Sequence, residues 1–289
     1  MSVNASSSSP VSRSFSLELF PPQTAEGLEK LAGTVNEMAR VRPEFFSVTY
    51  GAGGSTRERT IGVVDSIQAA GHDVAPHMSC VGTTRSSVRE LLDHYRTRGI
   101  RRLVALRGDL PSGMHQTGEF RYAADLVAFV RQTYGDAFRI EVAAYPEVHP
   151  QARSADEDFR YFCAKVSAGA DSAITQYFYN PDAYWYFMER CASADIRVPV
   201  IPGIMPIVRF AQLARFSDAC GAEIPRWMRR KLEGFGDDLS SIRAFGLDVV
   251  ARLCEDLLRQ GAPGLHFYTL NQAAPTLALC ERLGIASPA

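Results

Sequence analysis

Hydrophobic and polar positions along the chain alternate with two different periods. In residues 15–22, FSLELFPP, Phe15, Leu17 and Leu19 alternate with Ser16, Glu18 and Phe20, the period of a β-strand. Pro21 and Pro22 close the run, because proline cannot continue a hydrogen-bonded ladder. Similar extended apolar runs recur at 45–50, 74–81, 103–109, 140–145, 173–179, 198–205 and 265–270, which predicts eight strands. Helical spacing fills the intervals. Residues 25–40 carry Leu28, Leu31, Val35 and Met38 three and four apart, and 56–70, 86–98, 123–134, 156–168, 182–194 and 207–219 continue the alternation.

End signals agree with these assignments. Thr24 supplies half of a capping box to the first helix, with Gly27 where its partner would stand. Gly71, Gly99 and Gly169 follow helices where a left-handed cap is wanted, and Asn180-Pro181-Asp182 opens the sixth. Strict strand–helix alternation implies parallel strands joined by right-handed crossovers. Eight repeats predict an α/β fold, a (β/α)8 TIM barrel, over an open doubly wound sheet, and no GxGxxG follows a strand. The last interval holds extra helices at 225–232, with Pro225 in the first turn, and at 239–259, before the eighth strand; 275–283 forms a final helix. Residues 1–14 read as a disordered, Ser-rich tail without the apolar core of a signal peptide. Residues 15–289 read as a single catalytic domain.

A length of 289 residues suits one such barrel. The formal net charge of −1 argues against nucleic acid or an anionic membrane as a partner, and no apolar run is long enough to span a bilayer. The six cysteines are scattered without a CxxC, so reduced thiols and a cytoplasmic location are expected, with no metal.

In this fold chemistry gathers at the carboxyl ends of the strands. Those ends offer Glu18; Thr49 and Tyr50 with a glycine turn; His77 and Ser79; Arg107 and Asp109, expected on one face; Tyr145, Glu147 and His149; Gln176; and Tyr268 with Asn271. Each has a plain structural reading. Glu18 either pairs with a cation, faces water, or is costly to keep ionised among Phe and Leu and so serves as a proton donor. Arg107 and Asp109 could be a turn ion pair, GAGGS an ordinary turn, and the aromatics of YFYN and YWYF core. Together on one rim they favour a pocket for a polar, partly aromatic ligand, with no nucleophile elbow, Walker loop or strand-borne Schiff-base lysine. Redox chemistry on a bound organic cofactor, or a lyase or aldolase reaction, would suit the set.

FSLELFPP, FFSVTYGAGGSTRERT, APHMSC, LVALRGDLP, AAYPEVHP, AITQYFYN, PGIMP and HFYTLN occur in this order. From about residue 15 to 285 the chain resembles the 5,10-methylenetetrahydrofolate reductases, in their bacterial single-domain form. The resemblance implies non-covalent FAD in a TIM barrel and ping-pong hydride transfer from NAD(P)H, through the flavin, to 5,10-methylenetetrahydrofolate. The product would be 5-methyltetrahydrofolate, which feeds methyl groups to methionine synthesis. It also implies a homo-oligomer. Glu18 matches the general acid, which would protonate N10 as the five-membered ring opens to a 5-iminium cation. Asp109 matches the aspartate whose charge would steady that cation.

By the same resemblance the FAD site takes Thr49, Tyr50, Ala52, His77, Arg107, Gly108, Asp109, Tyr122, Ala123, Tyr145, His149, Ala152, Asp158 and Lys165. The folate or nicotinamide nucleotide takes Gln176, Tyr184, Gln212, Phe216, Tyr268 and Gln272. Gln272 departs from the pattern, since an arginine is expected after FYTLN; an amide cannot pair with a glutamate carboxylate as a guanidinium does. No long extension follows the barrel, so a regulatory domain is not expected. The alternatives are a flavin-independent barrel lyase or aldolase, which would turn over without flavin, and a non-catalytic folate- or flavin-binding protein, which would bind without hydride transfer.

Overall fold

The computed structural model describes residues 14–50, 54–108 and 118–285, without the side chains of 54–56. Eight strands close into a parallel barrel in sequence order. They are β1 (Ser14–Leu19), β2 (Phe46–Val48), β3 (Val74–Ser79), β4 (Arg102–Leu106), β5 (Arg139–Ala144), β6 (Ser172–Tyr177), β7 (Val200–Ile204) and β8 (Gly264–Tyr268). Helices α1 (Ala25–Met38), α2 (Gly54–Ala69), α3 (Arg85–Thr97), α4 (Ala123–Tyr134), α5 (Ala155–Ser167), α6 (Pro181–Ser193) and α7 (Phe210–Cys220) follow the first seven strands. Before β8 come the two added helices, α8 (Arg226–Gly234) and α9 (Leu239–Arg259), and after it α10 (Ala273–Arg282). The barrel and its extra helices are those the periodicity predicts.

Six of the eight strands, all but β1 and β5, are shorter than the apolar runs, because those runs continue into loops that have left the ladder. At β4 pairing stops at Leu106, three residues before the expected end. In the other direction, Ser14, assigned to the tail, starts β1 and pairs with Gly264. Local signals act as expected. Thr24 accepts from the Gly27 amide, and Gly71, Gly99 and Gly169 take positive φ. Asn180 caps α6 with Pro181 in its first turn. Pro225 caps α8 from outside, rather than lying in the first turn.

Two apolar layers hold the barrel. Leu17, Leu19, Phe46, Val48, Met78, Leu103, Ile140, Val142 and Phe267 face outward and pack against the helices. The interior layer is small: Phe45, Ala75, Val104 and Ile174, with Leu106 and Ile201 against them. Polar side chains occupy the interior on both sides of that layer. At the amino-terminal end Arg102 pairs with Glu44 and, at 2.6 Å, with Glu141. Glu141 also accepts from Ser172, and Glu44 from Ser14. Arg102 lies over the Phe45 ring at 4.3 Å. Burial acts to raise the Glu44 pKa, but the Ser14 hydroxyl and the Arg102 charge hold it below its ordinary value.

Candidate active site

The carboxyl-terminal mouth is assembled from strand exits. β1 sends Leu17 and Leu19 outward, so period two sends Ser16 and Glu18 inward. Glu18 is therefore not among Phe and Leu side chains, as the strand pattern alone suggested. Its neighbours are two imidazoles: His77 Nε2 lies 3.4 Å from Oε2, and His266 Nε2 lies 3.7 Å from the same oxygen. No lysine or arginine pairs with it among the described residues. Its side chain is 19% exposed while His77 and His266 are buried, so the carboxyl reaches the mouth and the rings lie beneath.

Several contacts hold this strand exit in place. Thr269 Oγ1 donates to the Glu18 carbonyl at 2.5 Å. Asn271 accepts from the Phe20 amide at 3.0 Å and donates to the Phe20 carbonyl at 2.8 Å. The β8 exit reaches these partners because Leu270 and Asn271 take positive φ. Asn271 is thus a clamp between the two exits, its amide already occupied.

Tyr268 stands beside Glu18 in register and donates to the Thr175 carbonyl at 2.7 Å. Burial pushes its phenol well above the ordinary range, so it stays protonated. Its ring crosses β7 at Gly203, where an added Cβ would sit 2.1 Å from Thr175 O and 2.6 Å from Tyr268 Cε2. Only glycine leaves that space. Burial also lowers the His77 pKa to about 4, with the Glu18 charge opposing and His266 assisting, so His77 is neutral at pH 7.

The β2–β5 side carries an arc of polar and aromatic groups. Thr49 receives a hydrogen bond from Thr60 at 3.2 Å, and half-buried Tyr50 lines a small cleft with Arg57 and Ser79. Arg107 donates to Gln151. Gly108 has φ +79°, and a Cβ there would fall 1.8 Å from Ser79 Oγ, so the Ser79 side chain packs directly against this rim backbone and only glycine fits. Tyr145 and His149 meet edge to face at 4.6 Å. Asp158 accepts from the His149 amide at 3.0 Å, and the Ala152 amide donates to the His149 carbonyl at 2.9 Å. Lys165 donates to Ala143 O at 2.5 Å; burial lowers its pKa to about 8, with Asp158 opposing. Tyr122 and Ala123 open α4, and Tyr122 stacks on Tyr161 at 5.0 Å. Ala52 and Asp109 lie outside the described residues, so the expected Arg107–Asp109 face does too.

On the β6–β8 side Gln176 follows the inward alternation of β6 and accepts from the Tyr177 amide at 3.0 Å. Gln212 and Phe216 are one turn apart on α7, both half-buried. Tyr184 is not at the mouth: it is fully buried on α6, stacks on Phe178 and donates to Val200 O at 2.9 Å. With Tyr177, Phe178, Tyr179 and Phe187 also buried, the core reading holds for these aromatics but not for Tyr186, which is exposed. Gln272 opens α10 and lines a cavity of about 560 Å³ with Pro206, Arg243 and Leu247; Glu18, His77 and Tyr268 do not line it.

Three site residues escaped the sequence reading: Ser16, His266 and Gln151. His266 had a usable signal, since it stands two residues before Tyr268 and so shares its inward face. Ser16 had the same relation to Glu18. Gln151 is a loop partner of Arg107 that no periodicity marks.

The geometry is a mouth with one reachable carboxyl, a neutral buried imidazole beside it, a fixed phenol, and an arc able to hold a ring-bearing anionic ligand. Comparison with known proteins gives it a family. A sequence model described as methylenetetrahydrofolate reductase matches residues 6–284. The chain is 41% identical to 5,10-methylenetetrahydrofolate reductase of Salmonella typhimurium, over 93% of this chain and 90% of that one. It is 40% identical to that of Escherichia coli, with the same coverage. Methylenetetrahydrofolate reductase (NADH) 1 of Arabidopsis thaliana is 34% identical over 94% of this chain and 48% of its own length. In fold the chain is similar to a Clostridium thermocellum protein that binds two copies of 5-methyl-5,6,7,8-tetrahydrofolic acid. That likeness has a TM-score of 0.65 at 15% identity and covers 95% of this chain and 94% of that one. The match to the family model from the first strand to the last helix, at this identity to bacterial relatives, is decisive: the chain belongs to the methylenetetrahydrofolate reductase family.

Proposed function

We propose that the protein reduces 5,10-methylenetetrahydrofolate to 5-methyltetrahydrofolate with FAD as cofactor and NAD(P)H as electron donor, and that Glu18 is the general acid. Reduction of the folate follows from the family; FAD, the donor and the residue roles are the proposal. The observation that carries it is the Glu18 carboxyl, half-open to the mouth and unpaired by any described lysine or arginine.

The residues present fit a flavin dinucleotide. Tyr145 with His149 gives an aromatic wall for a flat ring. Lys165, whose pKa burial lowers to about 8, still carries its charge at pH 7 and could meet a phosphate. Bound there, FAD supplies a hydride carrier that serves the nucleotide and the folate in turn. The Arabidopsis relative's name supports a nicotinamide donor. The Clostridium protein supports a folate in this fold.

Glu18 gives its proton to N10 of the folate, so that the ring opens to the 5-iminium cation, and it is left as a carboxylate facing that charge. Asp109 is proposed to add a second negative charge near the cation. Gln176 and Tyr268 hold polar edges of the substrate, and Phe216 offers a ring face to either ligand.

An anaerobic two-step titration tests the reading. Purified protein, or protein loaded with FAD, should bleach near 450 nm (about the usual flavin band) when NADH or NADPH is added, and regain colour with methylenetetrahydrofolate. Turnover without flavin, or a flavin that the folate fails to reoxidise, would overturn it.

A further inference from the structure

Beneath Glu18 the barrel interior holds polar atoms that the proposed reaction has not used. Ser16 Oγ and His266 Nδ1 are hydrogen-bonded at 2.7 Å. His266 is fully buried, and its Nε2 has no hydrogen-bond partner. The Nε2 of His77 is likewise buried without one. For both rings the nearer carboxylate oxygen of Glu18 is Oε2. A buried ring nitrogen without a partner is costly, and two of them lie within 3.7 Å of one carboxylate oxygen.

We propose that His266, aligned by Ser16, is a positioning residue that offers Nε2–H to Oε2 of Glu18 and so assigns the acid proton to Oε1. The hydrogen bond at one ring nitrogen decides what the other carries. With the Ser16 hydroxyl donating to Nδ1, the ring proton sits on Nε2, on the side of Glu18. Oε2 then acts as acceptor in both protonation states. Oε1 carries the proton outward, loses it to N10, and regains one from solvent through the mouth. After transfer the N–H stabilises the carboxylate, so His266 makes Glu18 a stronger acid than its buried position alone would. The aromatic contacts of His266, Phe45 at 6.3 Å and Tyr268 at 5.3 Å, fix the ring plane. The groups facing the Glu18 carboxyl are Ser47 of β2 and Tyr268 of β8, its register partners, with His77 of β3 and His266 of β8. His266 alone among these has its second polar atom held by β1 itself.

The inference rests on Glu18 being the acid of the proposed reaction, but its first test needs neither flavin nor folate. In protein labelled with 15N-histidine, the His266 proton should reside on Nε2, and Ser16→Ala should shift it partly to Nδ1. In protein labelled with 13C-glutamate, the Glu18 carboxyl midpoint should rise by about one pH unit in His266→Phe, which keeps the ring contacts and loses the donor. In turnover, the same variant should lower kcat about tenfold or more with KM for the folate changed less than twofold, and His266→Gln should recover part of kcat. A proton on Nδ1 in the parent protein, or a Glu18 midpoint that stays or falls in His266→Phe, overturns the proposal. If His266→Phe does not fold, Ser16→Ala read by the same two spectra decides it. Failure of the flavin titration with these spectra as expected would sink the proposed reaction and leave the geometry standing.

Discussion

The floor and the mouth of the barrel are built from the same residue types and end in opposite states. At the floor, Glu141 is 2% exposed and meets Arg102, Arg139 and Ser172, while Glu44 meets Ser14 and Arg102. Every charge there has a partner. At the mouth Glu18 has, among the described residues, two imidazole nitrogens in ion-pair range, and both are without a hydrogen bond. Paired buried charges hold structure, and removing one partner leaves the other stranded. A carboxyl with no described lysine or arginine partner forgoes that ion-pair stabilisation and stays reachable from the mouth.

Substitutions can separate the two ends. The largest effect is expected from Glu18→Gln, which removes the acid and keeps the shape. Folate reduction should fall by about 10²–10⁴ in rapid-mixing kinetics. Its unfolding free energy should change by less than about 1 kcal/mol, because no described lysine or arginine loses a partner. An equal loss in the nucleotide-driven half-reaction would break the assignment of Glu18 to the folate step.

Glu141→Ala should do the reverse. It takes from Arg102 one of its two carboxylate partners and from Ser172 its acceptor, and should cost about 3 kcal/mol in urea unfolding, with folate KM little changed in protein that remains folded. A loss below about 1 kcal/mol would show that the floor is not the structural end.

His77 gives the next effect, through pH. Its folded pKa of about 4 lies below the ordinary 6.5. As pH falls from 6.5 to 4 the unfolded chain takes up a proton that the folded chain refuses. Stability is therefore full above 6.5 and declines through this window, by about 3 kcal/mol in all for a depression of this size. Denaturant titrations at several pH values should show that slope in the parent protein and a flatter one in His77→Asn.

The smallest effect belongs to Tyr268→Phe. It removes one hydrogen bond to Thr175 O and should cost about 1 kcal/mol in thermal unfolding. A larger loss of folate affinity than of stability would sharpen its place at the mouth.

The alternation of elements was legible because each strand and helix carries its own period, and helix signals such as Thr24, Gly99 and Asn180 act within a few residues. Strand ends were less so. Phe178 and Tyr179, after the end of β6, remain buried beyond the ladder, and hydropathy does not say where pairing stops. At the site, the positions of Glu18, Tyr268, Arg107 and Tyr145 follow from their places at strand ends. Tyr184 illustrates the limit, since burial on α6 takes it away from the mouth whatever its chemistry. The surroundings of Glu18 were misread for a definite reason. Alternation says which residues share a face, but in a closed barrel both faces of a strand are covered, so Leu17 and Leu19 tell nothing about what Glu18 meets.

The chain by itself determined the barrel, its added helices, the acid at the end of the first strand and the family to which these motifs belong. Those are properties of local period and of residues written side by side. Only closure of the barrel brought His266 to Ser16 across 250 positions, while the packing of nearby strands set His77 against Glu18 and paired Arg102 with Glu141. The reason is that the eighth strand lies beside the first only once the ring is shut. A carboxyl's proton is governed by the atoms within a few ångströms, however far away in the chain they begin.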